Sequence, residues 1–200
     1  MLWSFKLKTI LKVGVITLLG GNSKTFKFKK NLKKYKFLIY SLFLCIGLVF
    51  IDQYIKNWII KNINFKGGFI LIPKFLRITY VKNYGAAFSI FFKKTNFLIF
   101  FTILVISFFV IYMIKNKPKD KIYIFGVTLI SAGGTGNLID RAYKGYVIDY
   151  IDLIFGIFYN FPIFNFADCL IVVGSFIILF KFIKKEFFAT KYKAAKKIRF

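Results

Sequence analysis

Gly133-Gly134-Thr135-Gly136-Asn137-Leu138-Ile139-Asp140-Arg141 closes an apolar run that begins at Ile122. Glycines at 133 and 136 allow another helix to approach closely inside a membrane. Asn137, Asp140 and Arg141 then cap the run with polar groups, Asn137 and Arg141 lying one helical turn apart. A helix needs roughly 20 apolar residues to cross a bilayer. Three other runs approach that length: Phe37 to Ile51, continuing through Ile55 towards Ile60; Phe97 to Ile114; and Ile163 to Phe182. Backbone groups in lipid must be satisfied within the segment, so the runs read as helices. The expected fold is a mainly α membrane protein with four transmembrane helices.

Composition agrees. Of 200 residues, 58% are hydrophobic, too many for an ordinary soluble domain. The formal charge of +25 would fit a nucleic-acid binder, but the lysines gather in the gaps between apolar runs, so no nucleic-acid partner is expected. Heavy Lys, Ile, Phe and Asn usage is also what an AT-rich genome produces. Arg supplies only three of the 32 basic residues, which makes Arg141 more informative. The absence of His excludes His-based triads and His-ligated zinc hydrolysis. Cys45 and Cys169 fall inside apolar runs, without the company of a disulfide or a metal site. No metal and no cofactor are expected.

Lysines flank the first run on its N-terminal side (Lys24 to Lys36), fill the gap from Lys115 to Lys121 and follow the fourth run. With four spans these regions share one side, which the positive-inside rule assigns to the cytoplasm, although the first outer loop also carries lysines. Both termini are then cytoplasmic. Asp52, Asp140, Asp149, Asp152 and Asp168 fall at the outer face; Asp120 and Glu186 stay inside. Five of seven acidic residues meet in one layer at the edge of hydrocarbon, where ionisable groups are functional candidates.

In the loop from Lys61 to Asn96, Phe75, Arg77 and Thr79 alternate with Leu76, Ile78 and Tyr80, a strand pattern. Gly67-Gly68 and Pro73 supply turns or an edge. A small β-sheet in this first extracytoplasmic loop is expected, able to support an extended peptide by strand addition. In residues 1–34, Leu2, Trp3, Phe5 and Leu7 alternate with polar residues, and the run Val13–Leu19 is too short to span. This basic N-terminal extension reads as an interfacial amphipathic segment, a signal peptide without a clear cleavage site, or an extension of no function. A central domain over 35–185 and a basic cytoplasmic tail over 186–200 complete the expected organisation.

Each polar cluster has a plain alternative. The Gly133–Arg141 segment could be a helix-packing patch with a surface Asp–Arg pair, worth little; Asp140 reads as structural. Tyr146-Val147-Ile148-Asp149-Tyr150-Ile151-Asp152 could place both acids on a wet face of a strand. In Phe164-Asn165-Phe166-Ala167-Asp168, Asn165 could cap a helix, whereas Asp168 lies too far into the apolar run for that. Asp52 and Lys56 could be a helix-end ion pair, and Asn83-Tyr84-Gly85-Ala86-Ala87-Phe88 a turn. Two carboxylates that converge in a low-dielectric site cannot both ionise easily; one keeps its proton, and the pair can activate a water and protonate a leaving amine.

The order of these blocks, from about Tyr35 to Ile183, resembles the lipoprotein signal peptidases (signal peptidase II), four-span membrane aspartyl proteases. The resemblance implies that Asp149 and Asp168 are the catalytic pair. It implies that Asp52, Lys56, Asn83, Gly85, Asn137, Asp140, Arg141 and Asn165 shape the site and bind substrate. It implies cleavage just before a Cys carrying a diacylglyceryl group, with prolipoproteins and membrane lipid as partners, no metal, and a monomer in a bacterial cytoplasmic membrane. One departure is Ile55, where the family has Ser or Thr. The competing expectation is a small transporter or channel with acids at its outer mouth; a non-catalytic assembly subunit would leave the paired Asp unexplained.

Overall fold

A computed structural model describes residues 23–85, 91–116, 118–155 and 161–197, with side chains from 36 to 187 within those ranges. Residues 1–22 of the N-terminal extension, and Ala86, Ala87 and Phe88 of the Asn83 block, lie outside them. Among the described residues, four helices are long and apolar enough to cross a membrane. They are α1 (Ser23–Asn62), α2 (Thr95–Asn116), α3 (Lys121–Lys144) and α4 (Phe166–Lys197). Ile39 closes a first unit, Met1–Ile39, whose described part is the opening of α1; the second, Tyr40–Phe200, holds everything below. The expected boundaries after 34 and 185 both fall inside helices, since α1 starts at Ser23 and α4 runs to Lys197.

α3 is the central helix. More than half of its span is buried, against less than a fifth in each of the others, whose large apolar side chains face outward. Its glycines explain how it takes neighbours on several sides. A Cβ at Gly133 would strike the backbone oxygen of Ala167, and one at Gly174 would come 2.6 Å from the oxygen of Gly126, so α3 and α4 pack backbone to backbone. α1 meets the same pair through Leu129, Ala132 and Leu170, against Cys45, Leu48 and Val49. Deeper in the bundle, Ser41 and Thr128 share a hydrogen bond of 2.6 Å between α1 and α3.

α3 starts on Asp120, whose carboxylate accepts from the amides of Ile122 and Tyr123, a standard N-cap. Lys181 of α4 pairs with the same carboxylate. That lysine and the two amides hold the Asp120 carboxyl below its ordinary range. α3 stops at Gly145, which adopts φ 79° and donates to the oxygen of Arg141. That left-handed turn suits glycine and sends the chain directly into a strand.

The expected sheet is present and has three antiparallel strands in the order β1 (Gly68–Ile72), β2 (Leu76–Asn83), β3 (Val147–Leu153). Pro73 and Lys74 turn the first hairpin, and a Cβ at Gly68 would strike the oxygen of Ile78. One face of the sheet packs Tyr80, Ile148 and Tyr150 onto Ile59 and Ile63 near the end of α1. Ile55 packs against this cluster, so the residue that departs from the family pattern replaces a hydroxyl with an apolar contact. β3 is buried on both faces: Asp149 is 2% exposed and Asp152 4%, so the wet-face reading of these acids does not hold.

Candidate active site

The fourth helix begins at Phe166, three residues later than the apolar run suggests, which makes Asn165 its N-cap and Asp168 its third residue. The two form a reciprocal cap. Asp168 N donates to Asn165 Oδ1 at 2.9 Å, and Asn165 N donates to Asp168 Oδ2 at 3.2 Å. The expectation that Asp168 lies too deep for a cap is thereby corrected: Phe164 and Phe166 extend the apolar run beyond the helix start.

With its oxygen committed to Asp168, the Asn165 amide has its nitrogen free to point the other way. Asn165 Nδ2 donates to Asp149 Oδ1 at 2.6 Å. One buried residue therefore donates to both carboxylates, through its side-chain nitrogen to Asp149 and through its backbone N–H to Asp168. The second oxygen of Asp149 accepts from Asn83 Nδ2 at 2.7 Å. Burial, and after it the charge of Asp168, push the Asp149 carboxyl up to about 7; the Asn83 and Asn165 donors and Lys56 pull the other way. Asn83 Oδ1 accepts from Gly85 N at 2.9 Å, and Gly85 O accepts from Arg141 Nη2 at 2.9 Å. Arg141 is also within electrostatic reach of Asp168, Asp149 and Asp140.

Joined to this pair is an ionic cluster in which Lys56, Asp52 and Asp140 have no solvent exposure. The Lys56 ammonium meets Asp52 Oδ2, Asp140 Oδ2 and Asn137 Oδ1, each at 2.9 Å. An ammonium has three protons, and all three are used. Asn137 Nδ2 then donates to Asp168 Oδ1 at 2.8 Å. Asp140 receives a second cation, Lys144, at 2.7 Å, and its Oδ2 also accepts from Ile148 N at 3.3 Å. The cluster holds two carboxylates and two ammoniums. Charge balance of this kind is what a low-dielectric setting demands of buried ions.

Asp52, Lys56, Asn83, Gly85, Asn137, Asp140, Arg141, Asp149, Asn165 and Asp168 thus all join one connected polar network. Asp52 and Lys56 are a buried link between α1 and α3, not a helix-end surface pair. Asp140 is likewise no surface pair with Arg141; its partners are the lysines. Asp152 stands apart, held by Arg77 across the sheet at 2.7 Å. Two members went unremarked in the sequence. Gln53 Nε2 donates at 3.1 Å to both Asp52 Oδ2 and the oxygen of Gly136. Lys144 has an i, i+4 spacing from Asp140 that could have marked it. Among the described residues no group of three or more Cys, Asp or Glu side chains is arranged to hold a metal ion.

Two carboxylates that both accept from Asn165, beside four membrane-crossing helices, define a polytopic membrane protein with a paired-carboxylate site. The chain belongs to the signal peptidase (SPase) II family, whose family model matches residues 44–184. Lipoprotein signal peptidases resemble it over most of their length. That of Streptococcus thermophilus is 37% identical over 70% of this chain and 90% of its own. That of Staphylococcus haemolyticus is 36% identical over 76% and 96%, and that of Clostridium acetobutylicum 36% over 72% and 94%. A bacterial membrane enzyme solved by the in meso method at 2.3 Å superposes with a TM-score of 0.69 at 34% identity, covering 74% of this chain and 89% of that one. A second, solved at 1.9 Å, gives 0.66 at 36% identity, covering 72% and 93%. The chain is a multi-pass bacterial membrane protein of an aspartic protease family.

Proposed function

We propose that this protein removes the signal peptide from diacylglyceryl-modified prolipoproteins, cutting just before the lipidated cysteine, with Asp149 and Asp168 as its catalytic pair. The observation that carries the reading is that Asn165 donates to two carboxylates of different elements, from its side chain to Asp149 and from its backbone to Asp168. With Asp149 near neutrality in its titration, the pair can hold one proton at working pH. The ionised member takes a proton from water as the water oxygen attacks the scissile carbonyl. The protonated member gives its proton to the departing cysteine nitrogen. Asn83, Asn137 and Asn165 fix the carboxylates; Asp52, Lys56 and Asp140 hold Asn137; Arg141 holds the Gly85 segment beside the site.

Four further statements belong to the same proposal. Residues 1–34 are an extension, 35–185 the protease domain and 186–200 a basic tail; the family match over 44–184 lies within the central domain. Both termini face the cytoplasm and the pair lies near the outer face, as the lysine distribution favours. The lipid chains of the substrate stay in the bilayer, contributing about 0.8 kcal/mol per buried CH₂. The enzyme acts as a monomer. An ion path is disfavoured because charged residues are missing from the middle of every span, between 37 and 51, 95 and 114, 122 and 139, and 169 and 180.

The test is cleavage of a diacylglyceryl-modified precursor and its unmodified twin by purified wild-type, Asp149→Asn and Asp168→Asn protein. The wild type is expected to cut the modified precursor alone, and both variants to lose cleavage by at least 10²-fold. Processing by either inserted variant at wild-type rate would falsify the pair.

A further inference from the structure

Asp149 and Tyr150 are neighbours on β3, so their side chains leave the strand on opposite sides. Both reach the start of α4. Asp149 Oδ1 accepts from Asn165 Nδ2, and the Tyr150 hydroxyl accepts from Phe166 N at 3.1 Å. A short backbone ladder joins the same two segments. Phe164 O accepts from Tyr150 N at 3.0 Å and from Ile151 N at 2.8 Å, and Phe164 N donates to Ile151 O at 3.1 Å. The strand that carries one carboxylate therefore grips the segment that leads into the other.

The Phe166 contact stands out in this set. Phe166 opens α4, and the first four amides of a helix have no partner within it. Asn165 Oδ1 takes the amide of Asp168, and the Tyr150 oxygen takes that of Phe166, so the helix start is capped partly from the sheet. Tyr150 is 5% exposed, in one cluster with Ile59, Ile63, Tyr80 and Ile148. A phenylalanine ring would complete that cluster equally well; a buried hydroxyl is costly unless it is bonded. Burial, and more weakly the charges of Asp52 and Asp168, push the phenol above the ordinary tyrosine range, so it stays neutral while the pair works.

We propose that Tyr150 is a positioning residue for the catalytic pair: its hydroxyl, by holding the Phe166 amide, fixes the start of α4 and with it the separation of Asp168 from Asp149. The inference rests on the proposed function. Without the hydroxyl the Phe166 amide loses its partner, and the first turn of α4, with Asp168 as its third residue, can shift against β3. The charged groups that act on Asp149 are Asp168 on α4, Lys56 on α1 and Arg141 on α3. Of these, α4 carries Asp168, so a looser start weakens the upward push of Asp168 on the Asp149 carboxyl. The Asn165 donor would loosen too, but it is the weaker influence.

The test is Tyr150→Phe, which keeps the ring and its packing and removes the hydroxyl. Cleavage of a diacylglyceryl-modified precursor is measured across pH for purified wild type and variant, with melting in detergent as the check on the fold. The variant is expected to lose about three- to ten-fold in kcat with KM unchanged, the worth of one hydrogen bond. The alkaline limb of its pH profile should move to lower pH. Meta-fluorotyrosine placed at position 150 keeps ring and hydroxyl but is a weaker acceptor. It should move both readouts the same way by less, and it keeps the test sound if Tyr150→Phe fails to fold. A wild-type kcat in Tyr150→Phe, or a lower kcat with the alkaline limb unmoved, would overturn the positioning role. Wild-type protein that cuts no modified precursor would instead overturn the proposed function, so the two failures are distinguishable.

Discussion

Lys56 donates to the side-chain oxygen of Asn137 at 2.9 Å, and that contact decides which way the Asn137 amide faces. With its oxygen toward the ammonium, its nitrogen points at Asp168. A lysine on the first span thus orients a hydrogen bond to a carboxylate on the fourth without touching it. Replacing Lys56 by Met should leave Asp52 buried without a cation and let Asn137 turn. Loss of one partner of a buried pair costs about 3–5 kcal/mol. The check is thermal unfolding in detergent, with Lys56→Met/Asp52→Asn expected to recover part of the loss; a melting point equal to wild type in Lys56→Met would contradict the network.

Lys144 is the second cation on Asp140 and is partly exposed, with 22% of its side chain accessible. Its removal should be milder than that of Lys56, about 1 kcal/mol or less after solvent screening. Lys144→Arg should keep most of the stability and Lys144→Met should not. Melting curves of the two variants at low and high salt measure this, with the difference narrowing as salt rises.

The pH dependence has a definite sign. Asp149 is a carboxyl whose folded value, about 7, lies above its ordinary one. Its neutral form is the one the fold favours, so its contribution to stability is complete below the ordinary carboxylate range and is lost as pH rises through about 7. Wild-type stability should therefore decline from about pH 4 to pH 7 and level off above that. Asp149→Asn, which stays neutral, should lack that part of the decline. Cleavage should fall as pH rises through about 7, where the shared proton leaves. Parallel stability profiles for the two proteins would rule out the assigned titration.

Three neighbouring glycines separate close packing from helix propensity. Alanine at Gly133 meets the Ala167 backbone, and alanine at Gly136 meets Asp52 Oδ2. Alanine at Gly134 finds ordinary contact, 3.4 Å from Ile106. Overpacking costs about 1–3 kcal/mol, whereas a helical Gly→Ala change alone gains up to about 1 kcal/mol. Gly134→Ala should be neutral or slightly stabilising, and the other two destabilising. Activity should fall most in Gly136→Ala, whose methyl displaces the Lys56 partner. Similar melting points for all three variants would contradict the packing.

Much of this was legible in the chain. Span length, the shared layer of the five acids and the strand at Phe75–Tyr80 follow from local pattern, which a sequence displays directly. The start of α4 does not: Phe164 and Phe166 are apolar on either side of Asn165, so hydropathy runs smoothly through a helix boundary that only the Asn-x-x-Asp spacing marks. The placing of Asp149 opposite Val81 depends on register past an irregularity in β2. Long-range register of that kind has no local signature. Choosing Asp149 and Asp168 among the five acids came from the family resemblance; the structure adds Asn165, which donates to both.

α4 is fastened at its start and again half-way along. Asn165 and Asp168 tie its start to α3 and the sheet, and Lys181 ties it to the cap of α3. The fastenings are 13 residues apart, about 20 Å along the axis. A helix held this way cannot slide to follow the thickness of its lipid. In a thicker or thinner bilayer the core around α3 and α4 must tilt, or the lipid must deform around it. The place of the carboxylate pair along the bundle is then a property of the protein, and reconstitution into lipids of graded chain length becomes a way to vary the membrane around a fixed site.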